Sequence, residues 1–164
     1  MRRDVPPGVK PRIKVKPAVT REGQWVLELP FTKPLSLNDR DIWQVRQGKT
    51  RPWRKAAATL ARHHKIPRCF RVTVEVFFTP ADNRTRDPIN LVPVVKAVED
   101  GIVDAGVIPD DRGAWHISVM PVITAKGPLR PGGNRFWVIV TAHATEADAE
   151  YYVRRGGHRT QEET

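Results

Sequence analysis

The stretch from Arg84 to Asp111 concentrates the side chains best suited to chemistry. Asp87 stands on a loop just before a helical pattern, Lys96 lies inside that pattern, and Asp110 and Asp111 follow it. Carboxylates that converge can hold a hard divalent cation through oxygen. A helix of about 15 residues is roughly 22 Å long, which sets Asp87 and Asp111 at its opposite ends. They meet only if the chain doubles back, for example through Val107–Pro109 running beside the helix. The same residues also have plain structural readings. Pro109-Asp110-Asp111-Arg112-Gly113 is favourable turn chemistry. Asp87 suits an Asx turn or cap, and Lys96 can pair with Asp100 at i,i+4. Spacing leaves both readings open.

Hydrophobic periodicity predicts the elements that must position these residues. Gln24–Leu29 alternates Trp25, Leu27 and Leu29 with polar neighbours and reads as a strand. A loop follows from Pro30 to about Thr50, carrying Ser36-Leu37-Asn38-Asp39-Arg40, Arg46 and Lys49. Residues 51–65 read as a helix with Trp53, Ala57, Leu60 and Ala61 on one face. Arg62, His63, His64 and Lys65 suit its dipole, and Pro67 ends it. Phe70–Phe78 is the clearest strand, with Phe70, Val72, Val74, Val76 and Phe78 on one face and Arg71, Thr73 and Glu75 on the other. Pro80–Pro88 is a charged loop.

A second helix over 91–105 is predicted from Leu91, Val94, Val95, Val98 and Ile102, with Asn90 as N-cap, Pro93 in the first turn and Gly106 as the stop. Strands Trp115–Ile123 and Arg135–Ala142 follow, separated by a basic Gly/Pro loop containing Lys126 and Arg130. A short helix near Glu146–Arg154 finishes the fold. The fold class is therefore α+β: a single domain of helices packed on a mixed β-sheet, in the order β-α-β-α-β-β. It spans 23–155, between a basic, Pro-rich, disordered arm over 1–22 and a polar tail over 156–164.

Charge narrows the partners. Lys and Arg total 28 against 18 acidic residues, a net charge of +10 in 164 residues. Such a surplus attracts polyanions, and nucleic acid is the expected partner. No apolar run approaches the roughly 20 residues needed to span a bilayer, and the N-terminus lacks the apolar core of a secretory signal. A cytoplasmic protein with no membrane partner is expected. The single Cys69 excludes an internal disulfide and argues against a cysteine-based zinc site. His63, His64, His116, His143 and His158 are too scattered for a metal cluster. Ser36 and Ser118 have no adjacent His and Asp to form a nucleophile triad. Trp115 and Trp137 read as core.

The order of motifs adds a resemblance. Arg86-Asp87-Pro88-Ile89-Asn90-Leu91, Lys96-Ala97, Asp100-Gly101, Asp104-Ala105-Gly106-Val107 and Asp110-Asp111 resemble the signature of RusA-type Holliday junction resolvases. Leu29-Pro30, the Pro34-Leu35-Ser36-Leu37-Asn38 loop and the basic helix after it fit as well, so the likeness covers approximately residues 24–142. It implies that Asp87 and Asp111 are catalytic metal ligands, that Asp110 is a possible additional ligand, and that Lys96 stabilises charge at the scissile phosphate. The implied cofactor is Mg²⁺, with Mn²⁺ as a substitute, and the implied reaction is paired hydrolysis of phosphodiesters in four-way junctions. A junction has approximate two-fold symmetry, so one site per small chain implies a homodimer. Arg40, Arg46, Lys49, Arg51, Arg54, Lys55 and Arg86, with the Lys126–Arg130 loop, would grip phosphates and make affinity fall with salt.

Lys96 lies three residues further from Asn90 than in the family pattern, close to one helical turn, and a second departure matters more. The aspartate expected directly before the asparagine is Ile89 here, and isoleucine cannot ligate a metal. Either Asp82, Asp110 or Asp100 supplies the missing oxygen, or the chain is a catalytically impaired protein that binds junctions without cutting them.

Overall fold

In a computed structural model of the chain, residues 23–111, 113, 115–125 and 133–143 are described. The expected arm over 1–22, the Lys126 and Arg130 loop, the helix near 146–154 and the polar tail lie outside the described residues. The architecture is α+β, with two helices against one face of a mixed five-stranded sheet. Strand β1 (Gly23–Leu29) pairs antiparallel with β5 (Arg135–His143), and β5 pairs antiparallel with β2 (Arg71–Thr79). Strands β3 (His116–Ser118) and β4 (Val122–Ile123) run parallel to β2 on its other side. A parallel neighbour needs a crossover, and helix α2 (Val92–Asp104) supplies it. Helix α1 (Trp43–His63) joins β1 to β2.

Register puts the apolar residues on one face. Val74 pairs with Val140, and Val76 and Leu27 both sit opposite Val138, so their side chains project together toward the helices. Trp53, Ala57 and Ala61 of α1 meet them with Val94, Val95, Val98 and Ile102 of α2 in one core. The predicted inward faces of both helices are therefore the buried ones, with Leu60 packed at the margin. An aromatic row knits the layers: Phe31 stacks on Trp53 at 4.3 Å, Trp53 meets Phe136 edge-on at 5.0 Å, and Phe136 stacks on Phe78 at 4.4 Å. The opposite face of β2 is buried too. Thr73 and Glu75 are enclosed, and Thr73 Oγ1 lies 2.6 Å from His143 Nε2.

The two helices touch backbone to backbone. A Cβ on Gly101 would lie 2.5 Å from the Arg54 carbonyl oxygen and 2.7 Å from Ala57 Cβ. Glycine at this point, facing alanines, is what allows α1 and α2 to approach so closely. Both helices then end in Schellman turns. Gly106, at φ 78°, bonds its N–H to Val103 O while Val107 N–H reaches Ile102 O. Lys65, at φ 53°, takes the same role after α1, with Ile66 N–H on Ala61 O.

Four expectations need correction. Helix α1 begins at Trp43 and not near residue 51, so Arg46 and Lys49 are helical. Pro52 lies inside this helix, and the carbonyl it deprives of a partner belongs to exposed Gly48, where water can satisfy it. Asn90 does not cap α2. A 3₁₀ turn over Pro88–Leu91 precedes that helix, and Asp87 caps the turn, because proline's fixed φ starts it earlier. The single strand expected over Trp115–Ile123 is two short ones, broken before Pro121, which has no N–H for a ladder. Phe70 precedes β2 instead of opening it. No helix among the described residues is long and apolar enough to cross a membrane.

Gly101→Ala is expected to destabilise the fold by about 1–3 kcal/mol through overpacking, despite alanine's better helix propensity. Gly48→Ala, with nothing within 4 Å of its added Cβ, is expected to gain roughly 0.5–1 kcal/mol. Urea unfolding of the two variants checks the opposite signs.

Candidate functional site

Asp87 is set by its neighbours in the chain. Its Oδ1 accepts the Ile89 N–H at 3.1 Å, and its backbone oxygen accepts the Asn90 N–H, which is the cap reading of this residue. Arg86 beside it is anchored: its guanidinium lies over the Phe78 ring at 5.5 Å and bonds Asp82 Oδ1 at 2.7 Å. The Arg84 backbone N–H and then Arg86 hold the Asp82 carboxyl below the usual carboxylate range. The loop over Pro34–Asn38 docks here, since Leu37 N–H donates to Asn90 O. Ile89 is 49 % exposed, an apolar side chain on the surface at the position where the resemblance expects a carboxylate.

Asp111 comes back along α2. Buried Val107 and Ile108 pin the returning chain, and Cys69 N–H bonds Val107 O at 2.8 Å. Asp111 then pairs with Lys96, fifteen residues earlier. Lys96 lies eight positions before Asp104, so the return covers about 12 Å of helix. The doubling back that convergence requires is present for Asp111 with Lys96. Lys96 Nζ also bonds Asp100 Oδ1 at 3.0 Å, the i,i+4 pair expected of a solvated lysine. Asp110 Oδ1 accepts the Asp111 N–H at 2.7 Å and so orients the second carboxylate. Asp87 takes no part in this cluster. Among the described residues no group of three His, Cys, Asp or Glu is placed to hold a metal ion.

A basic groove leads to the cluster. It is an open trough of about 910 Å³ between α1 and α2, lined by Arg46, Arg51, Arg54, Lys55 and Arg62 on one side and by Pro93, Lys96, Asp100 and Asp104 on the other. The expected phosphate-binding residues divide by what already holds them. Arg51 and Lys55 are exposed and have no ion-pair partner among the described residues, and Arg40 is exposed in the preceding loop. Arg46 reaches only the Asp41 carbonyl, at 3.4 Å. Lys49 is engaged by Asp41 and lies 3.9 Å from Asp39, and chiefly the bond to Asp41 raises its pKa. Arg54 is a clamp: Nε and Nη2 grip the Asp104 carboxylate at 2.5 and 2.7 Å. Arg62 adds a 2.8 Å bond to the Asp104 carbonyl, a cation at a helix C-terminus that lacks its own. Arg86 is tied to Asp82 as described.

A second polar group was not legible in the sequence. Glu99, His116 and Ser118 meet where α2 faces β3, with Ser118 Oγ donating to Glu99 Oε1 at 2.7 Å and His116 Nε2 3.1 Å from the same oxygen. Ser118 therefore has an acid and a histidine close by, although not in the arrangement of a nucleophile triad. The serine hydroxyl donates to the carboxylate and makes no hydrogen bond to the imidazole, so the serine–histidine contact of a triad is absent here. Cys69 is no nucleophile either, because burial pushes its thiol up to about 11. Trp115 is core as expected, but Trp137 is not: it is only half-buried and stacks on Phe77 at 5.3 Å, outside the core. No protein-family model and no curated protein matches the sequence.

The Arg54 hydrogen bond holds the Asp104 carboxyl below its ordinary range, against a smaller opposing effect of burial. A depressed carboxyl stabilises the fold above the unfolded pKa of about 3.9 and loses that effect as pH falls through the folded value. Asp104→Asn is thus expected to cost up to about 1 kcal/mol at pH 7, given the exposure of the pair, and nothing measurable near pH 2. Chemical denaturation at the two pH values checks this.

Proposed function

We propose that this chain is a metal-dependent endonuclease of the RusA type, acting in the cytoplasm as a homodimer that resolves four-way DNA junctions. The observation that carries this reading is the convergence of a cationic groove on the Lys96–Asp111 pair. Phosphates lying along α1 meet Arg46, Arg51 and Lys55, whose charges displace condensed counterions. That seat brings a backbone phosphate toward Lys96, whose ammonium balances charge developing on the phosphoryl oxygens.

Asp111 and Asp100 both face one cationic position, now filled by Lys96, and that donor set suits Mg²⁺, which binds through one or two carboxylates and keeps its waters. When bound there the ion would acidify a water and neutralise the pentacovalent oxyanion. Of the three candidates to replace the carboxylate absent at Ile89, Asp100 is favoured. Asp82 is committed to Arg84 and Arg86, and Asp110 to the Asp111 N–H. Asp87 stands as the further ligand implied by the resemblance. Junctions are selected because a branched centre opens more cheaply than a duplex.

Ile89 favours a second reading, in which the chain binds junctions without cutting them. Incubation of a synthetic four-way junction with protein and Mg²⁺ or Mn²⁺ separates the two. Symmetric nicking is expected from the wild type, with about a hundredfold loss in Lys96→Ala and no cutting by Asp111→Asn or Asp87→Asn. A gel shift without cutting, restored to cutting by Ile89→Asp, supports the second reading. A wild type that neither shifts nor cuts the junction defeats both.

A further inference from the structure

Trp43 opens α1 and is 68 % exposed, the most exposed of the large apolar side chains among the described residues. Residues 43–49 are all solvent-exposed, so this end of the helix overhangs the body. Residues three and four apart share a helix face, which sets Trp43 in line with Arg46 and Gln47 at the mouth of the basic groove. The aromatic ring is therefore the outermost member of the groove-facing stripe, one turn beyond its last cation. At the mouth of a charged groove, such a ring offers an aromatic face to whatever the groove binds.

Charge identifies that partner. Helix α1 carries Arg46, Lys49, Arg51, Arg54, Lys55 and Arg62 and no acidic residue. The nearest acids, Asp39 and Asp41, are occupied by Lys49. A second copy of this face would meet like charge, whereas a polyanion presenting a flat apolar surface meets both of its requirements. We propose that Trp43 stacks on an unpaired DNA base at the open centre of a branched substrate, while Arg46 and Arg51 hold the flanking phosphates. This inference rests on the nucleic-acid reading above and adds the source of branch selectivity to it. Every base has a π-face, so the contact is indifferent to sequence, and a fully paired duplex does not offer it.

The test compares wild type, Trp43→Ala and Trp43→Phe on a labelled four-way junction and a blunt duplex at several salt concentrations. Trp43→Ala is expected to lose roughly tenfold or more on the junction and less than about twofold on the duplex, with Trp43→Phe retaining most of the affinity. The salt dependence should not change, because no phosphate contact is removed. Equal losses on both DNAs, or no loss, overturn the stacking role. So does conversion of a dimer to a monomer in Trp43→Ala by sedimentation, which would make the face a subunit contact. A wild type that binds neither DNA removes the nucleic-acid reading itself, and this inference with it.

Discussion

Gly101 holds α2 against the backbone of α1, with no room for even a methyl group between them. Much of the molecule depends on that contact. It fixes the spacing of two helices that form one wall of the core, and it brings Arg54 within reach of Asp104. The same approach sets Lys96 and Asp100 across from the cations of α1, so the groove exists because the helices cannot drift apart. Small Ala58 lies among its lining residues, and its rims are long charged side chains. Packing at the centre of the helix pair thus becomes an electrostatic feature at its edge.

The charges along that edge alternate in function. Asp104 takes Arg54, Asp100 lies within 3.8 Å of Arg54 and bonds Lys96, and Lys96 pairs with Asp111. Arg54 and Lys96 are thus shared among three carboxylates, and the net positive field of the groove comes from Arg46, Arg51, Lys55 and Arg62. Exposed ion pairs of this kind contribute little stability, commonly below about 1 kcal/mol. Their larger effect is on placement, since they hold the Asp111 side chain beside Lys96 once buried Val107 and Ile108 have brought the chain back. A phosphate or a divalent cation entering the groove competes with these pairs, so the site can exchange partners at small energetic cost.

Much of the fold is legible in the residue pattern because burial follows periodicity. Val72, Val74, Val76 and Phe78 declare their strand, and Val94, Val95, Val98 and Ile102 their helix, by spacing alone. The start of α1 is hidden because Gly48 and Pro52 carry breaker signals, and their cost vanishes only where the helix overhangs into water. Glu99 is hidden for a different reason. Its partners His116 and Ser118 are distant in sequence, and only the parallel pairing of β2 with β3 brings them under α2. The site is legible in part. Lys96 and Asp100 are neighbours by helical geometry, but the return of Asp111 depends on the burial of Val107 and Ile108. Trp43 carried no signal in its spacing, because the pattern places it in the loop before residue 51 and not on a helix.

The salt dependence of four-way junction binding tests most directly whether the α1–α2 groove is the seat of the DNA backbone. Wild type should show a steep linear fall of log affinity with log salt, and Arg51→Ala with Lys55→Ala should reduce that slope by about 2, roughly one for each phosphate contact. A slope and an affinity unchanged by the double substitution would contradict that placement.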